Sequence, residues 1–506
     1  MPPPTGLRLT MRIATAFGTN LAGQVLRLAI AVLTVPLFAA YFGAARFGTY
    51  YFLLALMPYF QVHALAVSRQ VTALSARAEA GEGRLQQMRA ELGSSVAIGT
   101  IISVVLTTAF FVGYPWMMQG VESAEALAAE IARARPWAAA IVVLDVVIVL
   151  QTAQMEGRKA FAPSNIAQIT GQAATLLLPL TAFIYDGSFD RMIAGVALAR
   201  LVQVLVGLRW APLLPILALV RSGLRMPRSL GIDFGMLTVS AICNAVSRTL
   251  DRIVIGTSAS AAALYFYSAP MGGTARLSML GRSMGATMAP FFATGEADQR
   301  RVQAAKASNA VLALLFPVCA FGIVSAPLLM TVWVDAEFAE RGTTFFRLGL
   351  IGVMGSSVAQ VPAVLMQSTG RSKFVTVQQL IELPPFAFAL LWASTHNLVA
   401  VAWVVALRMV VSGLVQMTVA GVPRRAIAAA IACIAAAVAL SLAAPSLDHL
   451  PPLSALAAGG GAALGASLIV HLLSPDTMRF ACELIVARLH RRQKTALPYP
   501  ERNNGP

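Results

Sequence analysis

The chain has 506 residues, 58% of them hydrophobic and only 12% charged, against roughly 25% charged residues in an ordinary soluble domain. With a mean hydropathy of +0.72 this composition excludes a soluble catalytic domain and points to a polytopic membrane protein. The net charge of +16 is not gathered on a soluble module, so it argues for membrane topology and against nucleic-acid binding.

The opening MPPPTGLRLTMR is basic, but the apolar segment behind it is too long for a leader and lacks a small-residue cleavage site. It is the first predicted span. Windows of about 19 residues place spans near 15–40, 47–73, 93–118, 137–156, 161–185, 192–220 and 233–258. Further spans follow near 261–292, 307–334, 343–368, 374–395, 397–420, 425–444 and 452–473, fourteen in all. The predicted fold class is therefore an all-α polytopic membrane protein.

With the N-terminus inside, the even-numbered connections hold the positive charge, among them Arg77, Arg84, Arg89, Arg158, Lys159, Arg221, Arg225, Arg300, Arg371 and Arg424. The odd-numbered ones mix Arg46, Arg133, Arg191 and Arg341 with Glu130, Asp186, Asp190, Glu337 and other carboxylates. This is the positive-inside pattern, and one missed span would invert every later loop. Both termini are expected in the cytoplasm.

The domain plan follows in order. Residues 1–14 form a cytoplasmic N-terminus, 15–220 a first lobe of six helices, 221–232 a basic linker and 233–420 a second lobe of six. Residues 421–474 add two helices, and 475–506 form an amphipathic helix and a disordered tail suited to an anionic phospholipid surface. Asn244, Arg248 and Asp251 in the seventh span repeat the spacing of Asn20, Gln24 and Arg27 in the first, as two parallel halves would.

Charges inside spans each cost roughly 2.5 to 3.5 kcal/mol at a helix centre and must face protein or water. Arg27, Arg248, Arg252, Arg276 and Arg282 outnumber the single Asp251 beside them, which makes a cationic cavity for an anionic passenger the expectation. The planar guanidinium fork suits pyrophosphate or carboxylate. Asp251 is expected to pair with Arg248 or Arg252, and Asp145 with an arginine across the first bundle, as structural or coupling pairs. Asn20, Gln24, Tyr51 and Gln61 are candidate polar lining, while Glu382 before Pro384 and Pro385 marks an expected break in the eleventh span. Cys243, Cys319, Cys433 and Cys482 stand singly and are expected to pack as small apolar residues, with no metal site.

PLFAAYFGAARFGTY, from Pro36 to Tyr50, resembles the end of helix 1 and start of helix 2 in Wzx-type polysaccharide flippases of the multidrug, oligosaccharidyl-lipid and polysaccharide exporter superfamily. LDRIVIG, from Leu250 to Gly256, with LYFYSAP and ATMAPFFA after it, is similar to the same family's helices 7 and 8. EGRKAFAPSNIAQITGQ and LMQSTGRSKF fit its short cytoplasmic turns. The resemblance implies two six-helix lobes in a V around a central cavity. It also implies a lipid-linked oligosaccharide substrate on undecaprenyl pyrophosphate, moved to the periplasmic leaflet of the bacterial inner membrane, with a polysaccharide polymerase and glycosyltransferases as partners. No cofactor is expected: GxxxxGK[ST] is absent, so the energy source is a coupling ion, H+ or Na+. The alternatives are a lipid II or drug exporter of the same superfamily, and a membrane glycosyltransferase or polymerase, which needs acidic catalytic residues and a large loop that this chain lacks.

Overall fold

The computed structural model describes residues 6–79, 85–119, 124–158, 160–181, 186–212, 228–294 and 296–473, with the side chains of 6–28 among those outside the described set. Every regular element among these residues is helical, and ten helices are long and apolar enough to cross a membrane. Lipid imposes this choice, because hydrocarbon offers the backbone no hydrogen-bond partners.

In chain order the helices are α1 (Gly6–Glu79), α2 (Leu85–Gln119), α3 (Ala124–Gly157), α4 (Phe161–Thr181) and α5 (Phe189–Leu208), then α6 (Arg228–Ser258), α7 (Ala261–Ala275) and α8 (Met279–Thr294). After them come α9 (Ala297–Val324), α10 (Ala326–Trp333), α11 (Ala336–Ser368), α12 (Ser372–Ser394), α13 (Leu398–Val419), α14 (Arg424–Ala443) and α15 (Pro452–Leu473). Gly43, at φ 75° and ψ 166°, divides α1 into the first two expected spans. A single 3-10 turn, Arg276–Ser278, joins α7 to α8 within the eighth. Counted this way, described helices occupy all fourteen expected positions.

Two expectations change. Pro384 and Pro385 do not break α12, which continues from Ser372 to Ser394 with both rings inside it and exposed. Neighbouring groups and local adjustment let membrane helices absorb the lost donors. Several helices also start earlier than hydropathy indicated, at 124 rather than 137 and at 297 rather than 307. The added turns carry Glu130 and Arg133, or Asp298, Arg300 and Arg301, which belong outside hydrocarbon yet continue the helix. The linker expected at 221–232 lies outside the described residues as far as 227, and its remainder opens α6. The C-terminal amphipathic helix and tail, with Cys482, also lie outside them.

The chain forms two compact units. The first is Met1–Ala269 with Gln379–Leu398, the second Pro270–Gln378 with Val399–Pro506. In the first unit α5 packs on both α3 and α4, and α1 meets α2, α3, α4 and α6. Helix α6 runs antiparallel to the second half of α1, since Val62 packs with Ala241 and Ala245, Tyr59 meets Thr249, and Phe52 fills the space beside Gly256. This packing gathers α6 into the first unit.

In the second unit α9 packs on α8, α11, α14 and α15, and α11 on α8 and α10. Gly355 and Gly413 let α11 and α13 cross at backbone contact. A Cβ on Gly355 would lie 2.5 Å from the Cα of Val410, and one on Gly413 would lie 2.3 Å from the Gly355 carbonyl oxygen. Small residues at crossings are how membrane helices gain contact when lipid supplies no hydrophobic drive. Arg347, only 4% exposed, donates Nε to the Ile323 carbonyl at 3.0 Å and grips the Asp448 carboxylate with both terminal nitrogens, Nη1 at 3.1 Å. With the Ser325 hydroxyl on the Ala455 carbonyl at 3.3 Å, this ties the α14–α15 hairpin to α9 and α11.

Candidate functional site

Three of the sequence motifs, PLFAAYFGAARFGTY, LDRIVIG and the start of LYFYSAP, meet within the first unit. Around the Gly43 turn, Phe38 packs on Phe42 and Phe47 with ring centroids 5.5 Å apart, and Phe47 lies 4.8 Å from Tyr51 and 5.3 Å from Tyr265. Gly48 sits so close to the start of α7 that a Cβ would overlap the Ala261 carbonyl. PLFAAYFGAARFGTY thus supplies a left-handed turn, a backbone contact and an aromatic lock that LYFYSAP completes. Tyr51, one candidate lining residue, is half-buried in this lock.

The same motif positions the charges of α6. Asp251 is buried, and its carboxylate accepts a 2.6 Å hydrogen bond from the Tyr267 hydroxyl on α7. Among the described residues it forms no ion pair with Arg248 or Arg252. Arg248 is exposed and donates Nε to the Asn244 side-chain oxygen at 3.2 Å, one turn back. Arg252 is half-buried with Nε enclosed and lacking a hydrogen-bond acceptor. In place of the expected intrahelical pair, a phenol holds the carboxylate.

Arg276 and Arg282 belong to the second unit. Arg276 opens the 3-10 turn at the middle of the eighth expected span and is half-buried; Arg282 is exposed on α8. A 3-10 turn inside a helix exchanges one hydrogen-bond register for another and is a common place for a hinge. Arg27, Asn20 and Gln24 lie outside the described side chains.

Deeper in the first unit Asp145 on α3 accepts from Gln61 Nε2 at 3.0 Å and lies 3.0 Å from Arg200 Nε on α5. Arg200, isolated in sequence, has its counter-ion 55 residues away because α3 and α5 pack along their length. At the end of this unit near Gly43, Arg46 forks onto Glu130 at 2.7 and 2.9 Å, and Glu130 also accepts from the Phe189 amide at 2.6 Å. That carboxylate caps the first turn of α5, where orphan amides favour an anion. Tyr267, Arg347 and Asp448 are the partners that sequence reasoning missed. Their separation along the chain from what they hold left no local signal.

Comparison with known proteins follows this geometry. A family model described as polysaccharide biosynthesis protein matches residues 84–341. A Shigella flexneri protein with the provisional name O-antigen transporter is 22% identical over 250 residues, 47% of this chain and 57% of that protein. The chain thus spans little more than half the length of that curated relative. Among solved structures, the lipid II flippase MurJ in an inward closed conformation superposes with a TM-score of 0.64 at 11% identity, over 89% of this chain and 98% of its own. An inward-facing multidrug resistance MATE family transporter of the MOP superfamily gives 0.63 at 13% identity, over 81% and 99%. At these identities the likeness is one of fold.

Proposed function

The chain belongs to the polysaccharide biosynthesis protein family, and from that premise we propose that it is a flippase for a lipid-linked oligosaccharide. It moves an undecaprenyl-pyrophosphate-linked repeat unit from the cytoplasmic to the periplasmic leaflet of the bacterial inner membrane, by alternating access, for assembly of a lipopolysaccharide or exopolysaccharide. Both termini are cytoplasmic, an H+ or Na+ gradient resets the cycle, and glycosyltransferases and a polymerase act before and after it. The chain forms and breaks no covalent bond in this reading.

The observation that carries the reading is Arg276 at the 3-10 turn. A guanidinium at membrane depth is costly unless protein groups, water or a ligand face it, and its planar fork matches pyrophosphate oxygens. The interruption supplies a place where the helix can bend as that ligand arrives or leaves. Arg282 adds positive charge within the same unit, and Arg27, Arg248 and Arg252 are candidate cations of the first unit. Deleting the gene is expected to abolish surface polymer and to leave the lipid-linked repeat unit in the cytoplasmic leaflet. Normal surface polymer in the deletion strain would overturn the reading.

A lipid II exporter is the second reading, favoured by the wider structural match, 89% of the chain for the lipid II flippase against 81% for the MATE transporter. Depletion distinguishes the two: accumulation of lipid II with cell lysis, and not of the repeat unit, would select it.

A further inference from the structure

A cavity of 660 Å³ opens inside the first unit, lined by Ser68 and Thr72 of α1, Thr152 and Glu156 of α3, Gln168 of α4 and Gln203 of α5, with Ile148, Val149 and Ala153 as its apolar wall. It lies near the Arg158 end of α3, opposite the Arg46–Glu130 fork, and hence on the side that loop charge assigns to the cytoplasm. Its size falls within the roughly 300 to 1,000 Å³ of ligand pockets and is far beyond a bare cation.

Its chemistry differs from that of the arginine-bearing helices. Among the described lining residues there are three hydroxyls, two carboxamides and one carboxylate, and neither lysine nor arginine. Hydroxyls and carboxamides both donate and accept, which is what a sugar's hydroxyls need, while an aliphatic wall suits the C–H face of a pyranose ring. Glu156, exposed at the end of α3, adds a carboxylate that can accept from a sugar hydroxyl. Two features show that the lining is built. Thr72 donates to the Ser68 and Ala153 carbonyls at 2.9 and 3.3 Å, which fixes its oxygen's position. Gly171 leaves the room that Gln203 occupies, since a Cβ there would stand 2.1 Å from the Gln203 carboxamide oxygen.

We propose that this cavity is a saccharide subsite that receives an uncharged sugar of the repeat unit from the cytoplasmic side. The assignment rests on the flippase reading and deepens it. Sugar and linker are recognised by different residues.

The test uses the full-length chain in lipid nanodiscs, with its four cysteines replaced by alanine and a single reporter, Thr152→Cys, exposed to a maleimide. The probe is the oligosaccharide released by mild acid from the host's lipid-linked fraction, and inorganic pyrophosphate is the control. The oligosaccharide is expected to slow labelling by about fivefold and pyrophosphate by less than about twofold; Gly171→Ala, which displaces the Gln203 carboxamide, is expected to weaken oligosaccharide protection by about tenfold. Val149→Cys serves as the reporter if Thr152→Cys does not support polymer assembly in cells. No slowing by the oligosaccharide, or equal slowing by pyrophosphate, overturns the subsite while leaving the flippase reading intact. Surface polymer that persists without the gene overturns both.

Discussion

At the scale of single residues, the charges on the helices divide into those proposed to meet substrate and those that hold the fold. Arg276→Ala is expected to abolish surface polymer with membrane levels of the protein unchanged, and Arg276→Lys to restore only a fraction, because an ammonium lacks the planar fork. Immunoblots of polymer and protein from the same membranes decide this, and full polymer in Arg276→Ala sinks the role. Asp145 belongs to the other class. Asp145→Ala strands Arg200 and is expected to cost roughly 3 kcal/mol, read as a lower unfolding temperature in detergent, with partial recovery in the Asp145→Ala/Arg200→Ala double variant. The positions of these charges were legible in the sequence because hydropathy makes each one conspicuous. Their partners were legible only in part: Asp145 meets an arginine across the first bundle as expected, whereas Tyr267 reaches Asp251 only once α7 folds back on α6.

At the scale of elements, apolar runs revealed where helices cross the membrane but not where they begin. A hydropathy window stops at the hydrocarbon edge, whereas α3 continues through Glu130 and Arg133 for more than three turns beyond it. The 3-10 turn at Arg276 left no mark in the sequence either, since RLS is compatible with an unbroken helix. Close crossings are the most sensitive points. Gly355→Leu is expected to force α11 from α13 and to reduce folded protein recovered by size-exclusion chromatography, while Gly465→Leu, with open space beside its Cα, is expected to leave recovery unchanged. Arg347→Ala removes a buried fork from Asp448 and is expected to cost roughly 3 kcal/mol, measured as a fall in unfolding temperature.

At the scale of the whole molecule, loop charge and helix number constrain each other, which is why the span count was legible before any coordinate. How the helices gather was less so: α6 packs along α1 through Val62, Tyr59 and Phe52, contacts that no charge or turn signal announces. The last two helices are integral to the second unit, since both α14 and α15 pack on α9. A chain ending at Gly421 is therefore expected to be degraded or aggregated in membranes, as judged by fluorescence of a C-terminal fusion after detergent extraction. A stable truncated protein would show these helices to be dispensable.

The fork between Arg46 and Glu130 also bears on how the protein is made. The two residues are 84 positions apart, so Arg46 emerges from the ribosome well before its counter-ion exists. In the proposed orientation the hairpin tip at Gly43 crosses the bilayer carrying an unneutralised cation, and the insertion machinery must hold it there until α3 and the start of α5 arrive. Charge balance at that face thus waits for the third helix, and a ribosome stalled before residue 130 would leave the first hairpin free to slip back.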